Sequence, residues 1–251
     1  MQETVKPVRM NTPLDVSRAC FTARARNPQR AFRKHWTLWL GASVLVLLAG
    51  AGCSRRSPEP ATRLTDALPQ VAPGELRDPK AFAVIEDKAD RSRALFLEAS
   101  RVMLHPRCSN CHPDGDVPYQ GMKASPHYPP VVRGPENRGV VGMNCSGCHQ
   151  DKNLELARVP GAPDWHLAPR EMAWVGRTPH ALCEQIKDRS RNGGRTLAQI
   201  VDHSAHDGLV AWGWMPGAGR EPAPGSQARF GEIVAAWVET GAECPRQEAK
   251  P

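Results

Sequence analysis

Two pentapeptides carry the residue types and spacing that could do chemistry: Cys-Ser-Asn-Cys-His at 108–112 and Cys-Ser-Gly-Cys-His at 145–149. In each, the cysteines stand three residues apart and a histidine directly follows the second. This is the C-x-x-C-H pattern of covalent c-type haem attachment. Thiols about one helical turn apart can add to the two vinyl groups of a porphyrin, and the adjoining imidazole then reaches the iron. With 8 Cys and 9 His in 251 residues, roughly 0.01 such pentapeptides are expected by chance. Two are therefore not an accident of composition. The expectation is two covalently bound haems c on Cys108, Cys111, Cys145 and Cys148, with His112 and His149 as proximal iron ligands.

Other uses of paired cysteines fit less well. A zinc site of the C-x2-C type places about 15–20 residues between its pairs, whereas 33 separate Cys111 from Cys145. Zinc also gives no reason for a histidine straight after both pairs. A thioredoxin-like redox pair would want a βαβ context, and no strand pattern is visible.

Two irons need two further ligands unless one is left open. Met215-Pro216, 67 residues after Cys148, resembles the distal methionine region of class I cytochromes c. The other distal candidates are His105, His166, Met172, His203 and His206. His203 and His206 stand three apart on a helix and so share a side. His/Met ligation would favour a higher potential than His/His, and the residue types alone leave both open.

The elements that must position these groups read as mainly α, a cytochrome c-like dihaem domain with long Pro- and Gly-rich loops. Asp78-Pro79 is a helix start, and Leu95, Phe96, Ala99, Val102 and Met103 fall on one helical face that stops at His105-Pro106. Between the motifs, residues 113–144 are expected to be mostly loop, with Pro113, Pro118, Pro126, Pro129, Pro130 and Pro135 excluding long helices. A buried porphyrin would supply the apolar mass such a stretch lacks. Residues 150–177 are again irregular and carry Trp165, His166, Met172 and Trp174. Thr178-Pro179 opens a helix with Leu182, Cys183 and Ile186 inward, expected to close at Asn192-Gly193-Gly194. Thr196 with Gln199 is a capping-box signature for a helix to about Asp207. A Gly/Pro loop follows over 212–224, then a last helix with Phe230, Ile233, Val234 and Trp237 inward and Gly241 just beyond its end. Cys183 and Cys244 could pair as a disulfide in an oxidising compartment.

The N-terminal third points to that compartment. The formal charge is +7, but residues 1–35 contribute eight Lys or Arg against two acids, while 54–251 hold 25 basic and 24 acidic residues. The working part is nearly neutral and carries no nucleic-acid footprint. Residues 1–35 read as a basic, unfolded lead and 36–53 as an uncharged signal or membrane-anchor segment ending in Cys53. Processing as a lipoprotein acylated on Cys53 and retention as an uncleaved anchor both export the remainder. Residues 54–78 read as a flexible tether, 79–245 as the dihaem domain and 246–251 as a tail. The expected location is the periplasmic side of a bacterial membrane, tethered by anchor or lipid.

The phrases HPRCSNCHPDGD (105–116), APDWHLAPREMAW (162–174), RNGG (191–194), HSAHD (203–207), WGWMPGAGREPAPG (212–225) and AAWVETGAECP (235–245) resemble the dihaem cytochrome-type proteins called isoquinoline 1-oxidoreductase subunits, over about 79–245. The resemblance implies an electron acceptor for a membrane-associated molybdenum hydroxylase that oxidises N-heterocycles or aldehydes. The chain lacks the extra cysteines of a plant-type iron–sulfur cluster, so molybdenum cofactor and iron–sulfur clusters would sit on partner subunits. The alternative is a dihaem peroxidase with one open iron. Its two motifs would usually be a domain apart, whereas these begin 37 residues apart. A haem-sensing module would need a signalling domain, and none is visible.

Overall fold

In the computed structural model the described residues are 64–247. The basic lead, the apolar segment with Cys53, residues 54–63 and the end of the tail lie outside them. The described chain is mainly α with few strands.

Four helices build the core: α1 (Lys88–Met103), α4 (Pro179–Lys187), α5 (Leu197–His206) and α7 (Gln227–Glu239). α7 lies against both α1 and α5, and α1 also meets α4. The expected faces are the buried ones: Leu95, Phe96, Ala99, Val102 and Met103 from α1, Leu182, Cys183 and Ile186 from α4, and Phe230, Ile233, Val234 and Trp237 from α7. Phe96 and Trp237 pack with ring centroids 4.9 Å apart. Where α5 passes α7 the backbones come close. A Cβ added at Gly231 would lie 2.6 Å from the Ala205 Cβ.

The helix ends have local causes. Thr196 and Gln199 close the capping box of α5 in both directions. Ser226 caps α7, and Gly241 with φ 116° follows its last residues. At the start of α1 the helix expected from Asp78 is two elements. Asp78 caps a 3-10 turn, Pro79–Val84, and α1 begins at Lys88 under its own cap Asp87, whose carboxylate accepts from the Asp90 N–H at 2.8 Å. α4 ends at Lys187, five residues before the expected Asn-Gly-Gly stop. Asp188 there accepts from the Ser190 N–H at 2.9 Å and folds the chain into a turn. Buried Asn192 then donates to the Ile186 carbonyl at 2.7 Å, satisfying the helix end by side chain.

Cys183 and Cys244 form a disulfide, with Cα atoms 5.5 Å apart, that ties α4 to the segment after α7. Two further differences from expectation concern loops. The loop expected from 212 starts later: Asp207 caps a one-turn helix α6 (Gly208–Ala211), which runs into a 3-10 turn at Trp212–Trp214. Part of the stretch read as tether is folded. Leu64, Leu68 and Leu76 are core residues, and Arg77 bonds the buried Glu98 of α1 at 2.6 Å.

The loops between the motifs hold two hairpins too short to alternate visibly in sequence. β1 (Tyr119–Gln120) pairs with β2 (Ser125–Pro126), and β3 (Gly139–Val140) with β4 (Met143–Asn144). Cys108 lies on a single helical turn, α2 (Pro106–Ser109), with Cys111 in the turn just beyond it, and Cys145 and Cys148 are the ends of another, α3 (Cys145–Cys148). Among the described residues no helix is long and apolar enough to cross a membrane.

Candidate functional site

α1 delivers the chain to the first motif. Leu104 ends the helix, and His105 caps the α2 turn, its Nδ1 accepting from the Arg107 N–H at 3.2 Å. His112 follows the turn. Its Nδ1 faces the Met172 carbonyl at 2.8 Å, and because a carbonyl only accepts, this nitrogen carries the proton. The ring lies flat on Trp174, centroids 3.4 Å apart and planes 9° apart. The Trp174 backbone N–H donates to the His112 carbonyl at 2.9 Å, fixing the stack from the main chain as well.

The second motif repeats the arrangement. β4 leads into α3, and His149 Nδ1 donates to the Pro160 carbonyl at 2.7 Å. Its ring stacks on Trp165, centroids 4.5 Å apart and planes 9° apart. Gly161 makes the carbonyl's position feasible. A Cβ there would fall 2.3 Å from the Lys152 oxygen and 2.4 Å from the Gln150 oxygen. Asn153 braces this corner, accepting from the Gly161 N–H at 3.0 Å and the Trp212 indole at 2.9 Å, and donating to the Met215 carbonyl at 3.0 Å.

One segment, 165–174, therefore serves both histidines. Between its two tryptophans, Leu167 donates to the Asn137 carbonyl and Ala168 to the Cys111 carbonyl, each at 3.0 Å. Buried Arg133 pins the same place, donating to the Ala168 carbonyl and to Asn137 Oδ1. The two motifs lie near enough that Cys145 adds to the upward shift of Cys111.

The electrostatics are those of un-ionised ligands. Burial pushes the Cys108 thiol up to about 12 and, with Cys145 adding, the Cys111 thiol up to about 11. Burial likewise lowers His112 to about 3, opposed by the Met172 carbonyl and helped by His203, Arg133 and Arg195. His149 is lowered by burial against the Pro160 carbonyl, with His127 adding to the fall. Both imidazoles are neutral near pH 7. With each proton on Nδ1, Nε2 offers its lone pair to a metal.

The distal candidates separate. His203 Nδ1 faces the Asp207 carboxylate at 3.1 Å, and the residue lies near enough to His112 to be among the groups that lower it. His206 is exposed and paired with Asp202 at 2.8 Å. His105 is occupied as a cap, and His166 bonds the Asp164 carbonyl. Met172 is buried and serves through its carbonyl, while Met215 is 67% exposed. The second motif has a neighbour that the residue pattern does not reveal. His127 lies edge-on to His149, ring centroids 5.9 Å apart. Trp165 and Trp174 stand out in the sequence only as residues of an irregular stretch.

A haem is compatible with this donor set. Among the described residues no three His, Cys, Asp or Glu side chains form a metal-ion cage, as a zinc site would require. A porphyrin iron needs only one or two protein ligands. The exposed large apolar residues, Val84 apart, lie at 117–156, in the loop between the motifs and just after the second, and at Met215. The Trp174 indole N–H, buried without an acceptor, is a donor for a polar substituent beside the first. No family model, no curated protein and no solved structure matches this chain.

Proposed function

We propose that this domain is a cytochrome c-like, dihaem electron carrier, with haems attached through Cys108 and Cys111 and through Cys145 and Cys148. One observation carries the reading. Both motif histidines hold Nδ1 on a backbone carbonyl and lie against a tryptophan of the same ten-residue segment. A histidine held this way suits any metal; what favours haem over zinc is that each such histidine directly follows a Cys-x-x-Cys pair. Bound haem would supply a one-electron iron couple at each motif.

The protein's part is positioning. The Met172 and Pro160 carbonyls fix the tautomer and aim of each ring and strengthen it as a donor. Segment 165–174 holds the two rings in one rigid frame, which limits rearrangement when charge changes. The Cys183–Cys244 disulfide fits the oxidising compartment in which haem c is attached, and so supports export to the periplasmic side, tethered through the N-terminal segment. The electron source we propose is a molybdenum hydroxylase with iron–sulfur clusters on its own subunits, and the acceptor is the respiratory chain.

The test is a haemochrome assay on residues 54–251 produced with haem-maturation machinery. Two covalent haems per chain, both reversibly reduced, are expected. A colourless protein despite competent maturation overturns the proposal. Peroxide turnover in place of simple electron exchange would assign the enzyme reading instead.

A further inference from the structure

We propose that His127 is the sixth ligand of the iron held by His149. The inference rests on the dihaem reading and deepens it at the second motif. The two rings are 5.9 Å apart between centroids, with planes inclined by 70°. Two imidazoles on one iron need about 6 Å between ring centres, from about 2.0 Å per metal–nitrogen bond and about 1.1 Å from each nitrogen to its ring centre. The inclination is no obstacle, since rotation about the metal–nitrogen bond preserves ligation.

The tautomers agree with the spacing. His127 Nδ1 donates to the Pro129 carbonyl at 2.9 Å, as His149 Nδ1 does to Pro160 at 2.7 Å. In the neutral tautomer these bonds select, Nε2 is the nitrogen with the free lone pair, the one a metal ligand offers. The backbone places His127 firmly. It follows β2 directly, and its N–H donates to the Pro118 carbonyl at 2.9 Å on the opposite side of the hairpin. Bare packing of two loop histidines would not need both Nδ1 atoms committed. No methionine needs to be brought in, and Met215 keeps its side chain toward solvent. The chemical class of the site follows: a bis-histidine haem, at a lower potential than a His/Met one.

The test compares the full exported chain with His127→Ala, His127→Met and His206→Ala, all matured with haem. Haemochrome counting of the wild type comes first. Fewer than two haems there refutes the dihaem reading itself. With two haems present, the His149 haem is expected six-coordinate and low-spin. In His127→Ala one haem of the two turns high-spin, which halves the low-spin electron paramagnetic resonance intensity if both were low-spin. Added imidazole restores the lost half. His127→Met keeps that haem six-coordinate but raises its potential, and His206→Ala changes neither haem. Two unaltered low-spin haems in His127→Ala would overturn the assignment. So would a high-spin haem that imidazole does not rescue, because a merely structural role predicts that outcome.

Discussion

His149 and the Pro160 carbonyl meet because residue 161 has no side chain. At Gly161 even a methyl group would collide with the Lys152 and Gln150 carbonyls, which cannot move away cheaply. Gly161→Ala is therefore expected to cost at least about 2 kcal/mol and to shift the potential of one haem by displacing the Pro160 carbonyl. Gly147, inside the second motif, has nothing within 4 Å of where a Cβ would stand and serves as the matched control. Gly147→Ala should leave unfolding midpoint and potential unchanged. Equal effects of the two substitutions would remove the role given to Gly161. The contrast also marks what sequence conveys at this scale. The C-x-x-C-H residues are visible because the haem attachment we propose for them would act within five consecutive positions. His127 is not, since it stands 22 residues before His149 with loop and the β3–β4 hairpin between them. Trp165 and Trp174 are visible as residues, but nothing in their spacing says that each faces a motif histidine.

Among the elements, the long helices are the readable part through their apolar faces, although α1 starts at Asp87 rather than at Asp78. Thr178, Thr196 and Ser226 all cap by side chain, and the apolar positions of α1, α4 and α7 repeat at three and four. The early end of α4 is not readable, because an Asx turn at Asp188 competes locally with helix and wins before the glycines are reached. The hairpins are invisible for another reason: two-residue strands have no alternation to detect. The contact most sensitive to change is between α5 and α7. Gly231→Val would thrust methyl groups into Ala205 and is expected to cost about 2 kcal/mol, lowering the melting temperature by about 4–8 °C. Haem content and spectra should be unaffected, as no motif residue lies at that crossing. A wild-type melting temperature would show that the helices can slide apart freely. The disulfide acts between elements too. Cys183 and Cys244 enclose a separation of 61 residues, so replacing both with serine should cost about 2–5 kcal/mol. The check is the urea midpoint of the double variant against reduced wild type, which should coincide if the covalent link is the cause.

For the whole molecule, the question is where the folded domain begins. Composition places the boundary at residue 79, because the preceding stretch is rich in Pro and Arg with no sustained period. Its three leucines nevertheless reach the core, and polar contacts hold them there. Gly225 donates to the Gly74 carbonyl at 2.8 Å, and Arg101 of α1 donates to the Pro73 carbonyl at 2.9 Å. Arg77 gives Glu98 both its backbone N–H, at 2.9 Å, and its guanidinium. Glu98 is 2% exposed, so losing Arg77 would strand much of a buried charge on Arg101 alone. Residues 64–78 thus belong to the folded domain and are not tether. Two haem-loaded fragments test this. Residues 64–251 should unfold at the same urea midpoint as 54–251. Residues 79–251 should lose at least about 3 kcal/mol, from the apolar burial of Leu64, Leu68 and Leu76 together with the broken Glu98 pair. Glu98→Ala in the longer fragment should reproduce only part of that loss, since the leucines would remain seated. Identical midpoints for all three fragments would return 64–78 to the role of a passive tether.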